Sequence, residues 1–228
     1  MIGRRTGTSV LGFVVAVVLL AGCAYSISGT ATWPGAKLQK VVLTAGDLPT
    51  GVRYDRIVED PRRSDGAGGP AAMLSVPEGC SNGLTEVIAR SAERGPGSAV
   101  KYAVSYDGAR VVMTVLSWQL NLGQLAAMAS RCEHFDAYFD RTSAGIPITT
   151  TKLPSDRPDE LLYQQTMRLN GSDTTVFMSF ENIDRMATFG MALPARDLDA
   201  RQGAMPKATL PQTFTEVVNK QADKVRAG

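Results

Sequence analysis

The chain has 228 residues, of which 44% are apolar, and it carries 24 basic and 22 acidic side chains. This composition favours one packed domain over an intrinsically disordered segment. Removal of residues 1–22, which contain Arg4 and Arg5 but no acid, leaves 22 basic and 22 acidic side chains. That balance argues against nucleic-acid binding, which depends on a basic surface that neutralises phosphates.

The first 22 residues have the features of an export signal. Arg4 and Arg5 precede an uncharged apolar run, Val10–Leu20, which is shorter than the about 20 residues that span a membrane comfortably. The run ends in Leu20-Ala21-Gly22-Cys23, which resembles the bacterial lipobox. We expect residues 1–22 to be a lipoprotein signal peptide and Cys23 to carry a diacylglyceryl anchor at the extracytoplasmic face of the cell membrane. The alternative is an ordinary secretory signal with a coincidental cysteine.

Residues 23–40 are predicted to be a tether between this anchor and the folded domain. The segment is rich in Ser, Thr, Gly and Pro and has no helical or strand periodicity. Residues 41–228 are then expected to form a single globular α+β domain, because their number suits one hydrophobic core, and to be monomeric.

The predicted elements of this domain follow from periodicity and turn signals. Asp107-Gly108 separates two strand patterns and indicates a tight hairpin. Short connections between the later strands favour antiparallel pairing. The prediction is an α+β fold with an antiparallel sheet of about six to seven strands and helices packed on it. Helices are expected at residues 43–48, 78–91, 122–140 and 210–227, and strands at residues 51–58, 98–106, 109–118, 145–153, 160–170, 173–182 and 185–193.

Two cysteines remain once Cys23 is lipidated. Cys80 and Cys132 are expected to pair, because exported proteins keep disulfides and an exposed free thiol would be a liability. Both cysteines lie on the predicted buried faces of helices, so the disulfide would link two helices covalently. Two free buried thiols are the alternative.

The second strand of the hairpin is apolar on both faces. Val111, Met113 and Val115 share one face, and the opposite face is equally apolar. This pattern indicates either a central strand covered on both sides or a strand that lines an apolar cavity. The three residues are therefore a candidate apolar pocket, with ordinary core packing as the alternative.

The stretch GCSNG, residues 79–83, matches the nucleophile elbow of α/β-hydrolases as a text pattern. It would make Ser81 a catalytic serine, with His134, the one histidine of the chain, as its base. However, that elbow needs a parallel sheet, and His134 falls in a predicted helix instead of a loop. We therefore expect Ser81 to belong to a helix start beside a disulfide.

No other pattern indicates catalysis or a cofactor. The chain lacks a P-loop and a dinucleotide-binding fingerprint. Cys132 and His134 have no second ligand cluster that would complete a metal site. Carboxylates are scattered along the chain, and no close pair of them is predicted inside the sheet. We therefore expect no cofactor and no metal.

Several short motifs together resemble a known group of proteins. They are the lipobox, LTAGDLPTG at residues 43–51, PEGC at residues 77–80, RCEHF at residues 131–135 and the late strand meander. They look like mycobacterial lipoproteins of unknown function and are distantly similar to the extracellular sensor domain of PknH-type receptor kinases. The resemblance implies an α+β domain with a cleft for an unidentified ligand. This chain departs from that sensor domain in having one possible disulfide where it has two, and no kinase.

These observations lead to one functional expectation. The chain is expected to be a membrane-anchored, non-enzymatic lipoprotein that binds an apolar small molecule or a protein partner of the cell envelope. A small serine esterase or lipase that uses Ser81 and His134 is one alternative. A structural partner in envelope assembly is the other.

Overall fold

The computed structural model describes residues 34–58, 73–91, 97–106, 109–169, 171–194 and 212–228. The predicted signal peptide, the predicted lipid-attachment residue Cys23 and most of the predicted tether lie outside the described residues, as does the Asp107-Gly108 turn. Within the described residues, no helix is both long enough and apolar enough to cross a membrane.

The described residues form an α+β fold. The helices are α1 (Pro34–Val41), α2 (Gly83–Ser91), α3 (Leu122–Arg131) and α4 (Gln212–Ala227), with a short 3₁₀ helix at Ala45–Asp47. The strands are β1 (Arg53–Ile57), β2 (Leu74–Val76), β3 (Ala99–Tyr106), β4 (Ala109–Leu116), β5 (His134–Tyr138), β6 (Ile146–Leu153), β7 (Glu160–Leu169), β8 (Ser172–Ile183) and β9 (Met186–Pro194).

All nine strands belong to one antiparallel sheet in the order β1-β3-β4-β9-β8-β7-β6-β5-β2. The predicted antiparallel sheet is confirmed, but it has more strands than the six to seven expected. The two additional strands are β2 and β5, which have three and five residues. Strands this short give little periodicity to detect in a sequence.

The predicted helix at residues 122–140 is wrong in its second half. Helix α3 ends at Arg131, and Cys132 caps it. The next residues form β5, in which Phe135 and Ala137 are buried while His134 is exposed. This alternation has the two-residue period of a strand. The apolar residues of the second half also fit a helical stripe, and pairing with β6 and β2 selects the strand.

Residues 34–40 were expected to belong to the tether, but the structure places them in α1. Leu38 is fully buried and Val41 nearly so. Pro34 occupies the first position of the helix, where its missing N–H costs least. The packed part of the chain therefore begins before residue 41.

Helices cover both faces of the sheet and enclose two apolar cores. On one face, α1 and α4 cover strands β3, β4, β8 and β9; on the other, α2 and α3 pack on β7, β8 and β9. Helix α4 lies close to the sheet because Gly190 of β9 has no side chain beneath it. A Cβ atom there would lie 2.8 Å from Met113 and 3.2 Å from Phe214 and Val218.

A buried amide joins α1, α4 and β3. The fully buried Gln221 accepts hydrogen bonds at Oε1 from Leu43 N–H at 3.0 Å and from the Tyr102 hydroxyl at 2.9 Å. Its Nε2 donates to the Val41 carbonyl at 2.8 Å. These bonds satisfy backbone groups just after the end of α1, which would otherwise be buried without a partner.

An ion pair joins the 3₁₀ helix to α4. Asp47 accepts hydrogen bonds from Lys224 and from the backbone and side chain of Thr44. The Lys224 contact is the main reason that the pKa of Asp47 falls from 3.8 to about 2, and the Thr44 bonds add to it. The folded state therefore favours the ionised form of this carboxyl group.

The predicted disulfide between Cys80 and Cys132 is confirmed, with a Cα–Cα separation of 5.4 Å. Its position differs from the expectation, because neither cysteine lies within a helix. Cys80 lies three residues before α2, and Cys132 follows α3 directly. The bridge joins the start of one helix to the end of the other, and it packs on Phe135 and Ala137 of β5.

Candidate functional site

The structure does not bring Ser81 and His134 together. The Ser81 hydroxyl donates to the Met73 carbonyl at 2.5 Å. His134 contacts Thr149 and Glu133 on the exposed side of β5. Because neighbouring residues of a strand point to opposite faces, the imidazole lies across the sheet from the disulfide that contacts its neighbour Phe135. The Ser81 hydroxyl therefore bonds to a backbone carbonyl and not to His134.

The structure brings the three candidate pocket residues together in the core. Val111, Met113 and Val115 have at most 1% of their surface exposed and pack in one cluster with Tyr102 and Phe214. None of them lines the groove beside α4 and the β6–β7 loop or the small depression beside Leu48 and Val217. The strand that carries them, β4, lies inside the sheet, and helices cover both of its apolar faces.

Two carboxylates lie side by side inside the sheet, where the sequence indicated no such pair. Glu160 of β7 and Glu181 of β8 are opposite each other in the antiparallel register. Their side chains are 7% and 1% exposed. Opposed residues in neighbouring strands have Cβ atoms about 5 Å apart, so two ionised carboxylates here would repel each other without compensation.

Two arginines from different elements provide that compensation. Arg157, in the β6–β7 loop, donates from Nη2 to Glu160 Oε1 at 3.0 Å, and its Nη1 lies 3.4 Å from Glu181 Oε2. Arg226, near the end of α4, donates to Glu181 Oε1 and to Asp223. Glu181 is therefore the common partner of an arginine on the loop and an arginine on the helix.

The two carboxyl groups differ in their acidity. Burial raises the pKa of Glu181. The two arginines act to lower the pKa, but the effect of burial is larger. Burial also acts to raise the pKa of Glu160, but hydrogen bonds from Ser155, Arg157 and Ser179 outweigh it and lower the pKa. The cluster thus contains one stabilised carboxylate beside a carboxyl group that is easier to protonate.

A groove lies next to this cluster, between α4 and the β6–β7 loop. It has a volume of about 380 Å³, which falls within the roughly 300–1,000 Å³ of small-molecule sites. Arg157 of the loop and Arg226 of the helix lie on opposite sides of the groove, and the hydrophobic residues beneath it, Leu162, Phe214 and Val218, are almost completely buried in the core. A second depression, beside Leu48 and Val217, holds only about 20 Å³ and is too small for an organic ligand.

One sequence signal could have pointed to this site. In β8, Phe177, Ser179 and Glu181 share a face, and Phe177 is plainly a core residue. An acid at that spacing is a carboxylate on a buried face, which requires a partner. The identity of that partner depends on the strand register, and the sequence does not specify it.

Comparisons with known proteins give only distant matches. No family model matches the chain, and no curated protein matches it. Among solved structures, the Rv0999 ortholog from Mycobacterium smegmatis matches with a TM-score of 0.49 and 13% identity, over 85% of this chain and 95% of that one. The extracellular domain of PknH from Mycobacterium tuberculosis matches with a TM-score of 0.48 and 9% identity, over 85% of this chain and 97% of that one. The distant similarity expected from the sequence motifs is confirmed.

Proposed function

We propose that this protein is an exported, lipid-anchored, non-enzymatic binding protein that takes a small ligand into the groove between α4 and the β6–β7 loop. The observation that carries the proposal is the pair of buried carboxyl groups of Glu160 and Glu181, which Arg157 and Arg226 bind from the two sides of this groove. The groove is concave and has a few polar groups that ion pairs hold in place, two features that ligand sites share.

The cost of burying these charges supports a functional role. An ion pair with a partner that is 1% exposed, such as Glu181 with Arg157, is often no more stabilising than apolar residues of the same volume. Carboxyl groups with shifted pKa values beside a groove are also typical of functional sites. We infer that the cluster positions the two walls of the groove for a ligand.

The proposed location combines the N-terminal pattern with the disulfide. The lipobox-like sequence before Cys23 implies an anchor of two acyl chains. The disulfide between Cys80 and Cys132 fits an oxidising compartment outside the cytoplasm. Replacement of Cys23 by alanine is expected to prevent lipidation and release the protein from the membrane fraction, which immunoblotting of fractionated cells would measure. Retention of the variant in membranes would contradict the lipid anchor.

The ligand proposal is tested by blocking the groove. Asn219 lies on the exposed side of α4 and lines the groove, so a tryptophan there should fill it. Gln124, an exposed residue of α3, provides the matched control for the same change. Native mass spectrometry of protein isolated from its own cells should reveal a bound small molecule in the wild type and in Gln124→Trp, but not in Asn219→Trp.

Two results of this experiment would contradict the proposal. Absence of a bound molecule from all three proteins would remove the support for a small ligand in the groove. The same bound molecule in Asn219→Trp would place the binding elsewhere. A specific envelope protein recovered by in-cell cross-linking, in the absence of any small molecule, would favour the protein-partner alternative.

A further inference from the structure

We propose that one edge of the sheet rests in the surface of the membrane to which the protein is anchored. Three exposed hydrophobic residues form this edge, Leu74 and Val76 of β2 and Phe139 directly after β5, and we call them the apolar edge. Their side chains would enter the boundary between the lipid headgroups and the acyl chains. This inference rests on the lipid anchor of the proposed function and adds an orientation of the domain to it.

Exposed hydrophobic side chains are concentrated at this edge. Among the described residues, the large hydrophobic side chains that are well exposed are Val58, at 85%, and the three of the apolar edge, Leu74 at 48%, Val76 at 63% and Phe139 at 69%. Leu74 pairs with Tyr138, the chain neighbour of Phe139, so the three come from two segments that meet in the sheet. A single exposed hydrophobic residue is ordinary, whereas a group of them marks a surface that contacts a membrane or another protein.

The segment after β2 holds this edge in place. The Ser75 hydroxyl accepts hydrogen bonds from the Cys80 N–H at 2.9 Å and from the Ser81 N–H at 3.3 Å, and the disulfide fastens Cys80 to the end of α3. Because successive side chains of a strand point to opposite faces, the buried position of Ser75 turns Leu74 and Val76 outward. Two hydrophobic side chains are therefore fixed in contact with water, and contact with lipid would remove the cost of their exposure.

A lipid surface suits this edge better than a partner strand or a second copy of the chain. Strand β2 offers only three residues for backbone pairing, and a very short edge strand is a common means of preventing strand addition. The three residues line neither the groove beside α4 nor the small depression beside Leu48 and Val217. Side chains that protrude in this way fit a fluid apolar medium, which needs no complementary shape.

The length of the predicted tether allows this orientation. Helix α1 begins at Pro34, eleven residues after Cys23, so the chain between them spans at most about 36–40 Å. Helix α1 packs on β3, and seven strand spacings of about 4.8 Å place β2 about 34 Å from β3. A domain that stands on the apolar edge can therefore stay attached to an anchor in the same membrane. The anchor also keeps the edge at a high effective concentration near lipid.

The charges beside the apolar edge indicate a contact that does not depend on lipid charge. Asp136 lies opposite Val76 in the register, and Asp140 and Arg141 follow Phe139 in the chain. Two acids and one base give no attraction to anionic headgroups, which bind clusters of Lys and Arg. Burial of apolar surface therefore supplies the binding energy, and uncharged phosphatidylcholine should be sufficient.

Photolabelling from within the bilayer tests the proposal. The full mature protein, with its diacylglyceryl group verified by intact mass, would be placed in phosphatidylcholine vesicles that contain a phosphatidylcholine with a diazirine on its acyl chain. Irradiation labels the side chains that touch the acyl region, and peptide mass spectrometry locates the label. We expect label in peptides covering residues 73–78 and 134–142, and none above background in the peptide covering residues 51–58, which contains Val58.

Serine substitutions supply the matched variants, and each is followed in a peptide that it does not change. Leu74→Ser with Val76→Ser should lower the label in residues 134–142 by about fivefold or more, and Phe139→Ser should lower the label in residues 73–78 similarly. Val58→Ser removes an even more exposed hydrophobic side chain, next to β1 at the opposite edge of the sheet, and should change neither. All four positions are exposed, so the variants should fold normally.

The outcomes separate this inference from the proposed function. A lipidated protein without label in the two peptides, with more label at Val58, or with unchanged label in the serine variants would overturn the orientation and leave the lipid anchor standing. Label that requires added phosphatidylglycerol would overturn the hydrophobic contact. A cross-link between the apolar edges of two copies, without lipid label, would assign the edge to a dimer instead. Absence of the diacylglyceryl group would overturn the anchor of the proposed function, and this inference with it.

Discussion

Replacement of Gln221 by leucine is expected to destabilise the domain severely. Leucine fills a similar volume but leaves the Leu43 N–H, the Val41 carbonyl and the Tyr102 hydroxyl without the partners they have now. At about 1.5 kcal/mol for each of these buried groups, offset by about 1.5 kcal/mol from the buried leucine side chain, the expected net loss is about 3 kcal/mol. This is a large fraction of the 5–15 kcal/mol by which domains are typically stable, on the order of one fifth to three fifths.

Urea unfolding followed by circular dichroism measures this loss. Gln39→Leu, at an exposed position of α1, makes the same substitution without breaking a buried network and should stay within about 0.5 kcal/mol of the wild type. Tyr102→Phe removes only one donor, because Gln221 Oε1 still accepts from Leu43. We expect that variant to lose about 1 kcal/mol.

Two results would refute the reasoning. A free energy of unfolding for Gln221→Leu equal to that of Gln39→Leu would mean that the buried amide contributes no stability. Full additivity of Gln221→Leu and Tyr102→Phe would mean that the two groups do not interact, although their hydrogen bond of 2.9 Å requires coupling.

Three further predictions concern stability. Gly190→Ala should lower the free energy of unfolding by about 1–3 kcal/mol through overpacking. Gly46→Ala should not, because a Cβ atom there would meet only the Thr44 hydroxyl, at an ordinary contact distance of 3.8 Å; equal urea midpoints would contradict the close packing of α4. Because the pKa of Asp47 falls from 3.8 to about 2, its contribution to stability is present above pH 4 and is lost as the pH falls towards 2. Asp47→Asn should flatten that part of the stability–pH curve, and an unchanged curve would exclude the ion pair as its cause. Replacing both Cys80 and Cys132 by serine should cost about 4 kcal/mol for a loop closed over 52 residues, and a loss below about 1 kcal/mol in urea unfolding would contradict it.

Local patterns were enough for much of the fold. The strands at β3, β4 and β6–β9 and the helix α4 were predicted close to their observed bounds, because each has a strong period and clear turn residues at its ends. The disulfide between Cys80 and Cys132 followed from compartment and cysteine number alone. These features depend on residues close in sequence or on a simple count.

The errors fall where a segment's structure depends on distant residues. Residues 134–138 were predicted as helix and form β5, because β6 and β2 provide partners for a strand. Residues 34–40 have no clear helical periodicity and were predicted as tether, yet residues 34–41 form α1, and Gln221, 180 residues further on, satisfies the carbonyl of its last residue, Val41. Tertiary contacts override local propensity in both cases.

The candidate site shows the same division. The sequence by itself determined that an acid, Glu181, alternates with core residues along a strand, and that the chain carries an export signal pattern before Cys23. Only the tertiary structure decided that Glu160 lies opposite Glu181 and that Arg157 and Arg226 reach the same carboxyl group from a loop and a helix. The reason is physical: a pairing register is fixed by the whole sheet and its packed helices, and a shift of one residue would turn these side chains to the other face.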